Sequence, residues 1–144
     1  MVRHIVWDDS FKVDHHLIDS QHKRLFAMVD ELYNFTLKTQ EQQKEDIMMV
    51  LQECVKYTVF HFSAEEELMD KINYPAKTSH VKQHTEFKIR VTEAIHDYSR
   101  GNKVKIDDLY SFLTEWLVHH VTKVDKALGL YASTHNLQEE PEES

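Results

Sequence analysis

Apolar residues recur every third or fourth position through four long stretches of this chain, a helical period rather than the alternation of a strand. The first stretch, roughly 20–38, carries Leu25, Val29, Leu32 and Phe35 on one side. The second, roughly 43–72, carries Ile47, Val50, Leu51, Cys54, Thr58, Leu68 and Ile72. The third, roughly 78–99, carries Phe87, Val91, Ala94, Ile95 and Tyr98; the fourth, roughly 107–132, carries Leu109, Leu113, Trp116, Leu117, Val124 and Leu128. Asp19 or Ser20, Thr78 or Ser79, and Asp107 are the expected caps of the first, third and fourth helices. Asn73-Tyr74-Pro75 and Gly101-Asn102 mark turns. Four helices with short connections, each burying one stripe, predict an all-α fold: an antiparallel up-down-up-down four-helix bundle.

An irregular N-terminal arm, residues 1–19, precedes the bundle, with Trp7, Phe11 and Val13 expected over the core and Asp8, Asp9 and Asp14 in water. Arm and helices make one domain, 1–134. The tail 135–144 is acidic, with Glu139, Glu140, Glu142 and Glu143, and is expected to be flexible. The 144 residues include 2 Gly, 2 Pro and 1 Cys, and the net charge is −8. So little glycine argues against turn-rich β folds and phosphate-cradling loops. Cys54 alone forms no internal disulfide and no CxxC knuckle, and reads as a small buried hydrophobe. The acidic balance disfavours nucleic acid. No apolar run spans a membrane and no leader-like segment opens the chain, so a cytoplasmic protein is expected.

Histidine is the compositional outlier, with 11 copies. Five of them interrupt the apolar stripes. His22 is in step with Leu25 and Val29. His61 and Glu65 lie four apart between Thr58 and Leu68, and His80 and His84 lie four apart ahead of Phe87. His120 continues from Leu113 and Trp116, with Asp125 five residues on. A spacing of four places two side chains on one face, with Cβ atoms about 5–6 Å apart. A spacing of five turns the second by about 140° in an α-helix, so a π-bulge is predicted between His120 and Asp125. These residues occupy the start of the first helix, the end of the second, the start of the third and the end of the fourth. In an antiparallel bundle all four regions share one pole.

Burying two carboxylates and five imidazoles without cations costs several kcal/mol per unpaired ion. Seven donors exceed the four of a structural zinc site and suit a pair of metals bridged by carboxylates; imidazole suits Zn, Cu, Fe and Ni. His4, His15, His16, His96, His119 and His135 lie in the arm, in the tail or off the stripes, and read as ordinary hydrogen-bonded core or boundary residues. His119 adjoins His120 but points about 100° away. Glu66 and Glu67 read as solvated or as supports for a ligand.

Taken together, Ile18-Asp19-Ser20-Gln21-His22-Lys23, His61-Phe62-Ser63-Ala64-Glu65-Glu66 with Met69 and Tyr74-Pro75, His80-Val81-Lys82-Gln83-His84 with Phe87, and Trp116-Leu117-Val118-His119-His120 with Asp125 resemble the hemerythrin family, in particular its single-domain bacterial members. The resemblance covers about residues 7–131. It implies a non-haem di-iron centre of two iron ions, Fe2+ or Fe3+, bridged by a hydroxide or oxo group. By carry-over, His80, His84 and His120 hold one iron, His22 and His61 hold the other, and Glu65 and Asp125 bridge them. The iron with fewer histidines keeps an open position. One departure lies in the arm, where many bacterial members carry Gly and this chain carries Asp14.

The function implied is reversible dioxygen binding for carriage, storage or scavenging, not enzymatic turnover, with Leu25, Phe62, Trp116 and Leu117 as walls of the dioxygen pocket. Three other readings compete. One is sensing of dioxygen, nitric oxide or redox state for a protein partner. Another is a peroxidase-type or nitric-oxide-reducing enzyme. The last is a bundle stabilised by zinc.

Overall fold

The computed structural model describes residues 3–37, 44–100 and 106–135. The expected turn at Gly101-Asn102 and the acidic tail from residue 136 lie outside them. A single 3-10 turn, Asp9–Phe11, punctuates the arm. Helices follow as α1 (His16–Thr36), α2 (Lys44–Lys71), α3 (Lys77–Ser99), α4 (Ile106–His119) and α5 (Lys126–Thr134). The last two are one rod, joined by a π-helical turn over His120–Asp125. The result is an all-α four-helix bundle. Among the described residues no helix is long and apolar enough to cross a membrane.

Helix starts depart from the expected caps. α1 begins at His16, because His15 holds extended backbone (φ −128°, ψ 116°) and its Nδ1 accepts from the Ile18 N–H at 3.4 Å. Asp19 then lies in the first turn, where its carboxylate accepts from the Val13 N–H at 2.8 Å and ties the arm down. Ala76 precedes α3 without a side-chain cap, so neither Thr78 nor Ser79 serves. Asp107 lies inside the first turn of α4, where its charge favours the helix dipole. The α2–α3 turn falls where expected. Asn73 takes φ 52°, the Asn73 N–H donates to Asp70 O at 3.3 Å, and the Tyr74 N–H donates to Met69 O at 2.9 Å. This paired arrangement satisfies the last carbonyls of α2.

α1 packs on α2 and α4, and α2 packs on α3. α3 meets α4 through Phe87, whose ring centroid lies 4.1 Å from that of Trp116. The main core runs from Val13 and Leu25 through Leu32, Ile47, Leu51, Val91, Tyr98 and Tyr110. A smaller apolar cluster of Met69, Ile72, Leu128 and Ala132 closes one pole, with Tyr74 and Tyr131 against it. The arm crosses α5 at Gly129, where a Cβ would sit 2.1 Å from the Val13 carbonyl oxygen, so only glycine admits the crossing. Asp14 takes φ 61°, a left-handed conformation that favours glycine and that aspartate tolerates better than most residues.

Candidate metal centre

All seven donors on the stripes meet in one buried layer between the two apolar clusters. His22, His61, Glu65, His80, His84, His120 and Asp125 are each at most 2% exposed. Their ligand atoms fall into two overlapping groups, each within 4.8 Å: Glu65, His80, His84, His120 and Asp125, and His22, His61, Glu65 and Asp125. The two carboxylates belong to both groups.

The π turn brings Asp125 into the layer. The Lys126 N–H reaches back five residues to Val121 O, so one extra residue is wound into the helix. Asp125 thereby faces the same way as His120, as the five-residue spacing predicts. The same extra residue moves the apolar register. Val121 is fully buried, whereas Val124, which an unbroken helix would hold seven residues on from Leu117 on the same stripe, is only half-buried.

The donor atoms crowd together, and only Glu65 Oε1, His80 Nε2, His84 Nε2 and His120 Nε2 find a hydrogen-bond contact within the layer. His22 Nε2 lies 2.9 Å from Asp125 Oδ2, His61 Nε2 3.1 Å from Glu65 Oε2, and His80 and His120 Nε2 lie 3.0 and 3.1 Å from Asp125 Oδ1. None of these contacts is aligned as a hydrogen bond; His22 Nε2, His61 Nε2, Glu65 Oε2 and both Asp125 oxygens have no hydrogen-bond partner. His84 Nε2 and His120 Nε2 face each other at 3.2 Å. Two donors each about 2.1 Å from one ion and at right angles lie about 3.0 Å apart. The orphaned atoms and their separations therefore fit cations held between them.

Without cations, protons take their place. Burial works against a charged His22, but contacts with Asp125 and Glu65 and their negative charges outweigh it and push its pKa up to about 9. His120 is likewise pushed up to about 9, with Asp125 outweighing burial, and His80 is raised by the same carboxylates. Burial would raise Glu65, yet His61, His120 and His22 hold it well below its usual range. Asp125 is lowered against both burial and Glu65, through His120 and His22.

Supports reach the rings from the far side. The Gln21 side-chain oxygen lies 2.7 Å from His61 Nδ1, Gln83 lies 3.1 Å from His120 Nδ1, and Glu66 lies 2.9 Å from His84 Nδ1. Each ring then turns Nε2 toward the layer. Glu66 is thus a support rather than merely solvated. Gln21 and Gln83 are missed by sequence pattern, although each adjoins a candidate ligand. The remaining histidines stay out of the layer. His4 pairs with Asp30 and stacks on Tyr33, His15 caps α1 from a buried position, and His16, His96, His119 and His135 are exposed.

One helical turn inward lies an apolar cavity of about 10 Å3, room for about one water-sized molecule. Leu25, Trp116 and Leu117 line it, with Cys54, Thr58 and Phe87 among the other walls. Phe62 does not line it. Its ring lies flat on His84, with centroids 3.8 Å apart and planes 4° apart.

The sequence profile described as the hemerythrin HHE cation binding domain matches residues 13–130. The chain belongs to the hemerythrin family. A bacteriohemerythrin of Pseudomonas aeruginosa is 34% identical over 136 residues, covering 94% of this chain and 86% of the relative. A myohemerythrin of Riftia pachyptila is 32% identical over 121 residues, covering 83% of this chain and 87% of the relative. Among solved structures, wild-type hemerythrin superposes with a TM-score of 0.82 at 28% identity, covering 90% of this chain and 98% of that one.

Proposed function

We propose that this hemerythrin-family protein binds dioxygen reversibly at a di-iron centre and serves as a carrier or store. His80, His84 and His120 would hold one iron, and His22 and His61 the other, with Glu65 and Asp125 available to both. When bound, the iron pair would supply the two electrons that dioxygen takes up and returns. The observation that carries this reading is the division of seven buried donors into a three-histidine and a two-histidine group around two shared carboxylates. The smaller group has one donor fewer, which leaves room for a small ligand there.

The chain's own residues favour return of the ligand over its conversion. The cavity one turn away is lined almost wholly by carbon. Its two polar walls offer no proton relay. The Thr58 hydroxyl donates to Cys54 O at 2.7 Å, and burial pushes the Cys54 thiol up to about 12, so it stays protonated. Reversible binding needs a dry site without a nearby acid or base. The apolar clusters on both sides of the layer supply the first condition.

The test is anaerobic reduction of the iron-loaded protein followed by air and then by removal of air, with the visible spectrum recorded and iron counted. Two irons per chain and a spectrum that forms in air and reverses without it are expected. A colourless protein indifferent to air overturns the reading. His61→Ala is expected to lose the iron of the two-histidine group first.

A further inference from the structure

The three supports on the histidine rings are not equivalent. Gln21 on His61 and Gln83 on His120 are neutral amides, whereas Glu66 on His84 is a carboxylate. α2 also grips His84 from three sides. Phe62 covers its face, Glu65 Oε1 lies 3.0 Å from Nε2, and Glu66 Oε2 lies 2.9 Å from Nδ1. The His84 side chain is 0% exposed and the Glu66 side chain is 30% exposed, so a partly solvated carboxylate meets a fully buried ring. A charged acceptor draws the Nδ1 proton more strongly than an amide does. It leaves more negative charge on the imidazole and makes Nε2 the more basic donor. A more basic donor stabilises the higher charge state of the cation it holds.

We propose that Glu66 is a positioning residue that, through His84, lowers the reduction potential of the metal held by His80, His84 and His120. The two-histidine position, supported by the neutral Gln21, lacks this push. The inference rests on the di-iron reading above. Glu66→Gln keeps an acceptor oxygen in the same place and removes the charge; Gln21→Glu adds a charge on the opposite side.

The experiment is a reductive titration of the iron-loaded full chain without dioxygen, in the parent protein and both variants, with iron counted in each. Glu66→Gln is expected to keep two irons and raise one midpoint by about 59 mV, a tenfold change for a one-electron couple. Gln21→Glu is expected to lower the other midpoint by a similar amount. An unmoved midpoint in Glu66→Gln, with two irons retained, overturns the proposal, because a merely structural role survives in glutamine. Should Glu66→Gln fail to fold, an unmoved midpoint in Gln21→Glu overturns it instead. A parent chain that takes up no iron pair overturns the di-iron reading, a result distinguishable from either of these.

Discussion

At the layer of donors, a residue beside one candidate ligand in sequence serves a ligand on another helix. Gln21 precedes His22 and holds His61, Gln83 precedes His84 and holds His120, and Glu66 follows Glu65 and holds His84. The donors themselves are legible in the sequence because a polar residue on an apolar stripe violates a pattern. Their supports are not, because a polar residue just off the stripe looks like any solvated position. Replacing Gln21 with Leu is expected to weaken metal binding roughly 10–100-fold, as loss of a supporting hydrogen bond typically does. Competition against a chelator measures this, with Glu67→Gln, an exposed neighbour, as the unchanged control. Equal affinity in Gln21→Leu would refute the supporting role. The protons on His22 and His120 set a second expectation, for the metal-free protein. Their pKa values are raised to about 9 in the fold, so their stabilising contribution is full below the unfolded value near 6.5 and is lost as pH climbs through 9. Glu65 and Asp125 are lowered, so their contribution is present above about 4 and is lost on acidification. Melting of the metal-free protein is therefore expected at a higher temperature at pH 6 than at pH 9. Metal uptake should tighten over the same rise, since fewer protons must leave. A melting temperature that rises from pH 6 to pH 9 would contradict the assignment.

Among the elements, the rod made of α4, the π turn and α5 shows most clearly what a sequence can and cannot display. The five-residue gap from His120 to Asp125 makes sense only if an extra residue is wound in, and the structure has that turn over His120–Asp125. The helix caps were less readable. A histidine nitrogen at His15 does the work expected of Asp19 or Ser20, and α3 starts at Lys77 with no side-chain cap at all. Cap preferences are worth about 1 kcal/mol, too little to decide a boundary against tertiary packing. The π turn permits a sharp test. Lys123 is exposed, and deleting it removes the extra residue. The shortened rod would then run as a continuous α-helix, with Asp125, Leu128, Gly129 and Ala132 still facing inward. Cooperative melting and near-parental helicity by circular dichroism are expected. If 120–125 were ordinary α-helix, the same deletion would turn α5 by about 100° and pull Leu128 and Ala132 from their cluster. Loss of cooperative folding in the deletion would therefore refute the π turn.

On the scale of the whole molecule, the donor layer sits toward one pole and the larger core lies beyond it. Leu32, Ile47, Leu51, Ile106 and Tyr110, all at most 2% exposed, belong to that larger core and none adjoins a candidate ligand in sequence. The pole beyond the layer depends on fewer residues, Met69, Ile72, Leu128 and Ala132, together with the tyrosines against them. This asymmetry bears on what metal removal does. Protonated imidazoles can balance Glu65 and Asp125 when cations leave, so the layer is not stranded with two bare charges. The bundle is thus expected to survive a chelator, unlike a small fold whose core is the metal itself. The lost stabilisation is still substantial. A site filled at a hundredfold excess over its Kd adds about 2.7 kcal/mol. Each kcal/mol moves the Tm of a domain this size by roughly 2–4 °C. Removal from both sites should therefore lower the Tm by roughly 10–20 °C while helicity at room temperature stays nearly constant. Hydrogen exchange should quicken first around α5 and the start of α3, and last in the middle of α1 and α2. Complete unfolding on chelation would show that the larger core cannot stand alone. An unchanged Tm would show that no cation had been contributing.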